Sequence, residues 1–484
     1  MDPANPRAGV LLVEDGRIAA VGESASVERK GRGAETLDLE GLAVVPGFID
    51  AHAHMVATGL ARTSLDLFGL PTISDILDAI RRRGAETPRG GWVVVSGFDD
   101  TMVRDRRYPT AAELDAAAPD HPVFVNRMDG HSCVLSSKAI LALRVDPAWP
   151  GVDLDGGRPS GVLRGDANAR AQAAFDAGVP RPKREAAFAE ACRRALEVGL
   201  TAVHTIEAPG VDSDIVLAAR TLTPLHLRLY VIANEIPEIP PGAEGLKLFA
   251  DGSMDSHTAL LFEPYADRPD TAGIFYQSPE KMRSLAHEAE SRGLHVITHA
   301  IGDRAIDETL RAYEGLRPDA RHRIEHFELP LDEHVSRCQE RGIVVSTQPA
   351  FVHFWDYRGF YEARVGPVRA RGIHPYRRIA DSGALLCGGS DAPVTPLGPL
   401  LGVHAAVNHP IEGQRLRVEE ALRMFTADAA RAGNEEGDRG SLAPGKLGDF
   451  VVLDRDPTRT SPRELKDIRV LRVFIRGREV SGGP

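Results

Sequence analysis

Pro46-Gly47-Phe48-Ile49-Asp50-Ala51-His52-Ala53-His54 is the stretch around which the rest of the chain is organised. The apolar run Leu42-Ala43-Val44-Val45 leads into it, and two histidines stand where the run ends. On a β-strand, residues i and i+2 project from the same face. Both imidazoles are therefore expected to enter one space at the C-terminal tip of a strand over 44–50. An HxH pair alone is more often packed or solvated than metal-bound. Its weight comes from what recurs downstream.

Apolar strand candidates follow at 200–205, 226–232, 245–250, 294–299, 322–326, 342–347 and 384–388, with helical patterns at 183–198, 279–292, 304–315 and 331–341. This alternation predicts a parallel sheet with helices outside it. With the 44–50 strand the set matches a (β/α)8 barrel. The termini have another texture. Residues 9–22 read as a hairpin about Asp15-Gly16, a dipeptide suited to two-residue hairpin turns. Further strands are expected at 36–39 and 449–454, and a second hairpin at 470–480. The expected architecture is a distorted (β/α)8 barrel over 46–439, beside a small β-sandwich domain built from 1–45 and 440–484. Residues 60–185 break the rhythm and are read as an insertion after the first barrel strand, on the side where active-site loops emerge.

Composition narrows the partners. A net charge of −11 opposes nucleic acid, which selects a basic face. Cys133, Cys192, Cys338 and Cys387 form no CxxC pair, which fits a reduced compartment and excludes cysteine-held zinc. Residues 1–6 lack a charged-then-apolar leader pattern. No window approaches the ~20 apolar residues that span a bilayer. A soluble, cytoplasmic protein with a small-molecule partner, and with neither nucleic acid nor membrane, is expected.

Four more candidate ligands sit at strand ends. Lys247 lies inside the apolar run Leu246-Lys247-Leu248-Phe249, where an unpaired ammonium is costly. The chain has only seven lysines among 58 basic residues, so a lysine retained here is suggestive. Lysine also reacts with carbon dioxide to give a carbamate, an anionic bidentate ligand. His299 ends one strand, His326 another, and Asp391 follows the last in Gly388-Gly389-Ser390-Asp391. In a parallel barrel such tips converge on one face. Imidazoles with carboxylates suit Zn²⁺ or a similar divalent ion. Taken singly, each residue has an ordinary structural explanation; the ordered series HxH, Lys, His, His, Asp is much harder to explain that way. His295 shares a strand with His299 and is assigned no ligand role. His131, in the insertion, is read as either a substrate-binding residue over the barrel mouth or a loop histidine. His204 is read as structural, and Asp251 as orienting Lys247 or capping a turn.

The series, the Pro46–His54 opening and the run Ser441-Leu442-Ala443-Pro444-Gly445-Lys446-Leu447-Gly448-Asp449-Phe450 resemble the amidohydrolase superfamily, in particular the branch related to N-substituted formamide deformylase. The segment Pro122-Val123-Phe124-Val125-Asn126-Arg127-Met128-Asp129-Gly130-His131 carries the same resemblance. It implies that His52, His54 and Asp391 hold one metal and His299 and His326 a second. It also implies that Lys247, carboxylated by carbon dioxide, bridges the two. Zinc is the first choice, with manganese, cobalt or iron as alternatives, and a homodimer is suggested. The implied reaction is hydrolysis of a non-peptide C–N bond, an N-formyl or N-acyl amine, by metal-activated hydroxide with Asp391 as general base and then acid. Two rivals remain: a one-metal deaminase using His52, His54, His299 and Asp391, and a non-catalytic scaffold. Gly165 and Thr205 depart from the branch, where Glu and Asp are usual, and bear on the pocket lining.

Overall fold

The computed structural model describes residues 7–482 apart from 24–26, 28–29, 32 and 356–358; residues 1–6, read above for a leader, lie outside the described residues. Eight parallel strands form one sheet in chain order. They are β1 (Phe48–Ala53), β2 (Leu200–Glu207), β3 (His226–Ile232), β4 (Gly245–Phe249), β5 (His295–Ala300), β6 (Arg323–His326), β7 (Val344–Thr347) and β8 (Leu386–Gly388). The ends meet just beyond β8. Asp391 N–H donates to the His52 carbonyl at 2.7 Å, and His54 N–H donates to the Ala392 carbonyl at 2.8 Å. The barrel is thus closed at the very residues that carry candidate ligands. Helices Arg181–Glu197, Pro279–Ser291, Asp303–Ala312 and Asp332–Glu340 cover the outside and bury their apolar faces in the main core. Inside, Ile49, Ala51, Ala202, Val344 and Cys387 pack against alanines of the helix Ala427–Ala432. All four cysteines are free and buried.

The run over 44–50 is not one strand. Ala43–Pro46 pairs antiparallel with Phe450–Leu453, and β1 starts afresh at Phe48. Gly47 is the crossing point: its N–H donates to the Asp449 carbonyl at 2.9 Å. A Cβ there would fall 2.2 Å from Thr201 Oγ1, so the chain can pass only as glycine. Periodicity could not show this, because apolar residues continue across the break while their sheet changes.

The hairpin Val10–Glu14 and Arg17–Gly22 turns at Asp15 and Gly16, both at positive φ. A second antiparallel sheet contains Ala43–Pro46, Phe450–Leu453, Val470–Ile475 and Arg478–Gly482. Phe450, Val452 and Phe474 meet Leu11 and Val13 of the hairpin. The strand expected at 36–39 is absent: that segment carries no sheet pairing and ends in a turn, with Leu42 N–H on the Leu39 carbonyl. Between β1 and β2 stands a six-stranded mixed sheet, including Val93–Phe98, Val123–Arg127, Ser132–Leu135 and Arg158–Arg164, with an apolar core of its own. No helix among the described residues is long and apolar enough to cross a membrane.

Gly47→Ala is expected to lower Tm by an amount equivalent to about 1–3 kcal/mol of overpacking. A Thr201→Gly background, which removes the obstructing side chain, should shrink that loss in a thermal-melt comparison.

Candidate metal centre

The imidazoles of His52 and His54 converge on one carboxylate oxygen. Asp391 Oδ1 lies 3.3 Å from His52 Nε2 and 3.1 Å from His54 Nε2. The ligand atoms of these three residues all fall within 4.8 Å of one another. Their far sides set the tautomers. His54 Nδ1–H donates to the Ile206 carbonyl at 2.8 Å, and His52 Nδ1–H to Glu325 Oε2 at 2.6 Å. Each Nε2 is left with its lone pair facing the shared space, as metal-ligating histidines require. The β1–β2 register slips between Asp50 and Ala53, so simple alternation does not govern how His52 faces the barrel.

His299 and His326 make a second pair, with ring centroids 4.3 Å apart; His326 is 5.1 Å from His52. His299 Nε2–H donates to the Gly252 carbonyl at 3.0 Å, leaving Nδ1 as its lone-pair nitrogen. His326 Nδ1 is buried with no hydrogen-bond partner among the described residues. Lys247 is buried, its Nζ 3.4 Å from His52 Nε2. Burial pushes its amine down to about 8, against the pull of Glu325 and Asp391. Burial acts to raise Asp391, but the His52 and His54 imidazoles hold its carboxylate well below the usual range. His326 and Asp391 adopt φ of 70° and 55°. Such left-handed conformations cost roughly 1–3 kcal/mol each and collect at functional sites.

Sequence alone missed two supports. Glu325 Oε1 is gripped by Arg323 at 2.7 Å from its terminal nitrogen and 2.8 Å from Nε. Arg323 also reaches the Ala51 carbonyl at 2.6 Å and His204 Nδ1 at 2.9 Å. His204 is therefore inside the barrel below the ligands, and His295, bonded to the Tyr230 hydroxyl at 2.8 Å, lies in the same polar layer. Asp251 does not reach Lys247. It accepts from the backbone N–H groups of Leu260, Ile301 and Gly302 at 2.8, 3.0 and 2.9 Å, tying the loop after β4 to the one after β5. Burial pushes it up to about 7 despite those bonds. The second missed support is Arg127, buried among Asp99 (3.0 Å), Asp100 (2.8 Å), Asp129 (3.4 Å) and Asp255 (3.1 Å). Asp255 belongs to the loop after β4, so this cluster clamps the insertion onto the barrel mouth.

The clamp brings His131 to the centre: its ring lies 5.4 Å from that of His299, and its Nδ1 is 3.1 Å from the Tyr276 hydroxyl. Gly165 N–H donates to the His131 carbonyl at 3.0 Å, and a Cβ at Gly165 would stand 3.8 Å from the Tyr276 hydroxyl. Gly165 thus borders the pocket. Thr205 does not. Its hydroxyl bonds Glu207 at 2.6 Å and lies 3.3 Å from Met55 N, outside the barrel wall beneath the helix Met55–Ala61.

Asp307, Glu333 and His334 also bring ligand atoms within 4.8 Å of one another. There, however, Leu331 N–H donates to His334 Nδ1 at 3.1 Å, so Nε2 carries the proton and has no lone pair to give. Asp307 already accepts from Arg337 at 2.6 Å and Arg311 at 3.0 Å. That group is a helix cap with ion pairs.

A closed (β/α)8 barrel with histidines and an aspartate at its C-terminal mouth defines a metal-dependent hydrolase. The model of the Amidohydrolase family matches residues 35–481, and the chain belongs to that family. The Bacillus subtilis (strain 168) protein YtcJ is 30% identical, covering 98% of this chain and 96% of its own. N-substituted formamide deformylase of Arthrobacter pascens is 28% identical over 99% of this chain and 95% of its own. An uncharacterized metal-dependent hydrolase from Pyrococcus horikoshii OT3 superposes with a TM-score of 0.78 at 26% identity, covering 93% of this chain and 94% of that one.

Glu325→Gln keeps the side chain's shape but removes the charge that faces both Arg323 and His52. Metal titration should show affinity lower by about 10–100-fold, the usual cost of losing a partner behind a ligand. An unchanged affinity would mean that Glu325 does not set the His52 lone pair.

Proposed function

We propose that the chain hydrolyses the C–N bond of a linear, non-peptide amide, an N-formyl or N-acyl amine, with two divalent metal ions at the barrel mouth. His52, His54 and Asp391 would hold one ion and His299 and His326 the other. Lys247, carboxylated by carbon dioxide, would bridge them. Zinc suits this nitrogen-rich set first, with manganese, cobalt or iron following. Lys247 is the observation that carries the two-ion reading. Its amine is buried against the His52 lone pair, and no carboxylate lies within ion-pair reach of it among the described residues. As a carbamate it would bear the negative charge that two neighbouring cations require. Only a neutral amine adds carbon dioxide, and an amine brought down to about 8 offers that form near neutrality.

Bound divalent ions would supply a nucleophilic water at neutral pH and polarise the carbonyl. The side chains have distinct tasks. Asp391 takes the proton from the attacking water and returns it to the amide nitrogen, which leaves poorly unless protonated. His131 binds the substrate from the insertion side. Phe351, stacked 6.1 Å from His326, continues through Trp355 at 4.9 Å into an apolar wall with Phe354 and Val394, suited to the organic part of an amide. The likeness to a formamide deformylase supports an N-formyl or N-acyl amine as the class to screen first.

Elemental analysis of protein purified with bicarbonate and without chelator should give about two metal equivalents per chain. A panel of N-formyl and N-acyl amines should then release free amine. About one equivalent, with ammonia released from an aminated ring, would replace this proposal with the deaminase arrangement. Asp391→Ala should abolish turnover; activity near wild type in a metallated variant would refute its acid–base role. Lys247→Ala should retain about one equivalent, since His52, His54 and Asp391 still converge without it.

A further inference from the structure

β1 and β8 are the two edges that must meet for the barrel to close, yet among the described residues they share no ladder. One isolated bridge, from Ala53 to Ala392, joins them. β8 is only three residues long and ends at Gly388, so buried N–H groups of β1 must find acceptors elsewhere. Ile49 N–H donates to the Phe425 carbonyl at 2.7 Å, and His54 N–H to the Ala392 carbonyl at 2.8 Å. His52 N–H, between them, donates to a side chain, Asp50 Oδ1, at 3.0 Å. A bond from an aspartate to the N–H two residues on is a common local device. What gives this one consequence is its second donor: the same Oδ1 accepts the Ser390 N–H at 3.0 Å, across the seam. Backbone N–H groups only donate, so the direction of both bonds is fixed.

Both donors belong to the ligand set: His52 is itself a ligand, and Ser390 directly precedes Asp391. The next two N–H groups of that turn are also held, Asp391 N–H on the His52 carbonyl at 2.7 Å and Ala392 N–H on Ser390 Oγ at 3.1 Å. Three consecutive amides thus fix the turn in which Asp391 takes its left-handed conformation. The approach is close. A Cβ on Gly389 would stand 2.5 Å from His52 N and 2.9 Å from Asp50 Oδ1, so only glycine lets the two backbones share that oxygen. Asp50 is buried, and no side chain of opposite charge lies within ion-pair reach of it among the described residues. Its contacts are those of an acceptor fixed in place, not of an ion-pair partner.

We propose that Asp50 is a positioning residue of the metal centre: its Oδ1 pins the backbones of His52 and Ser390 to one point and so sets the spacing between His52 Nε2 and Asp391 Oδ1. That spacing is 3.3 Å. Tetrahedral zinc, with bonds of about 2.0–2.2 Å, requires ligand atoms roughly 3.3–3.6 Å apart. The pinned seam therefore presents one nitrogen and one oxygen already at the bite of a single ion. Asp50 acts through the place of its oxygen and not through its charge. The proposal deepens the metal-hydrolase reading and rests on it for the ion.

Three substitutions separate place from charge in a zinc titration of the full chain. Asp50→Asn keeps an oxygen at the Oδ1 position without the charge, and its affinity should stay within about threefold of wild type. Asp50→Glu keeps the charge but carries the oxygen one methylene further, and Asp50→Ala removes it; both should bind zinc about 10–100-fold more weakly. An Asn variant as weak as the Ala variant overturns the proposal, and so does unchanged affinity in the Ala or Glu variant. Hydrogen exchange in the metal-free protein gives a second readout. The amides of His52 and Ser390 should be protected in the wild type and in Asp50→Asn. In the Ala and Glu variants both should open together, while the Val345 amide, bonded to the Leu385 carbonyl in β7, stays protected. Fast exchange at Ser390 in the wild type overturns the pin even where a variant fails to fold. Exchange needs no ion, so a wild-type chain that takes up no zinc counts against the metal centre alone.

Discussion

The Glu325 carboxylate, held between Arg323 and His52 in the middle of the barrel, is the contact on which the site depends. An ionised carboxylate at such depth is tolerated only when paired and hydrogen-bonded. Arg323 supplies the charge and His52 a third hydrogen bond, and together they hold Glu325 far below its usual range despite burial. One grouping therefore does two jobs. It fills the barrel at mid-height with a polar layer that also reaches Ala51, His204 and Tyr230. It also turns the His52 lone pair toward Asp391. Replacing the layer with aliphatic side chains could make a comparable core, but nothing would then fix which nitrogen of His52 faces upward.

Much of this was legible in the sequence. Strand-end positions named His52, His54, Lys247, His299, His326 and Asp391, and the structure brings all of them to one mouth. What stayed hidden follows a pattern. Glu325 precedes His326 directly, and strand alternation would send the two to opposite faces. The left-handed turn at His326, with φ of 70°, lets adjacent residues serve the same site. Periodicity also ran straight through Gly47, where the chain leaves one sheet for another, and it gave 36–39 a strand that finds no partner. Arg127 and Asp255 lie far apart in sequence and meet only because the insertion folds back over the loop after β4. No local pattern records such a meeting.

The insertion and the barrel thus divide the chemistry. The barrel strands and the turns at their C-terminal ends carry the ligands. The insertion brings His131, and the Arg127 cluster sets how far over the mouth it stands. Change in the insertion can therefore alter what the pocket accepts while the ligand set stays as it is. Gly165 is one such position, beside Tyr276 and bonded to the His131 backbone.

The seam of the barrel has a bearing on how the protein is made. Asp391 and Ala392 bond the backbone of His52 and His54, so the turn after the last strand delivers both the closing hydrogen bonds and the final ligand. A ribosome releases His52 and His54 early and Asp391 only after nearly the whole barrel has emerged. Contacts this distant in sequence form late, since the loop they close must first be ordered. A growing chain thus presents separate histidines but never the finished cluster. The site comes into being in the same step that shuts the barrel, and a chain truncated before Ser390 would lose closure and chemistry together.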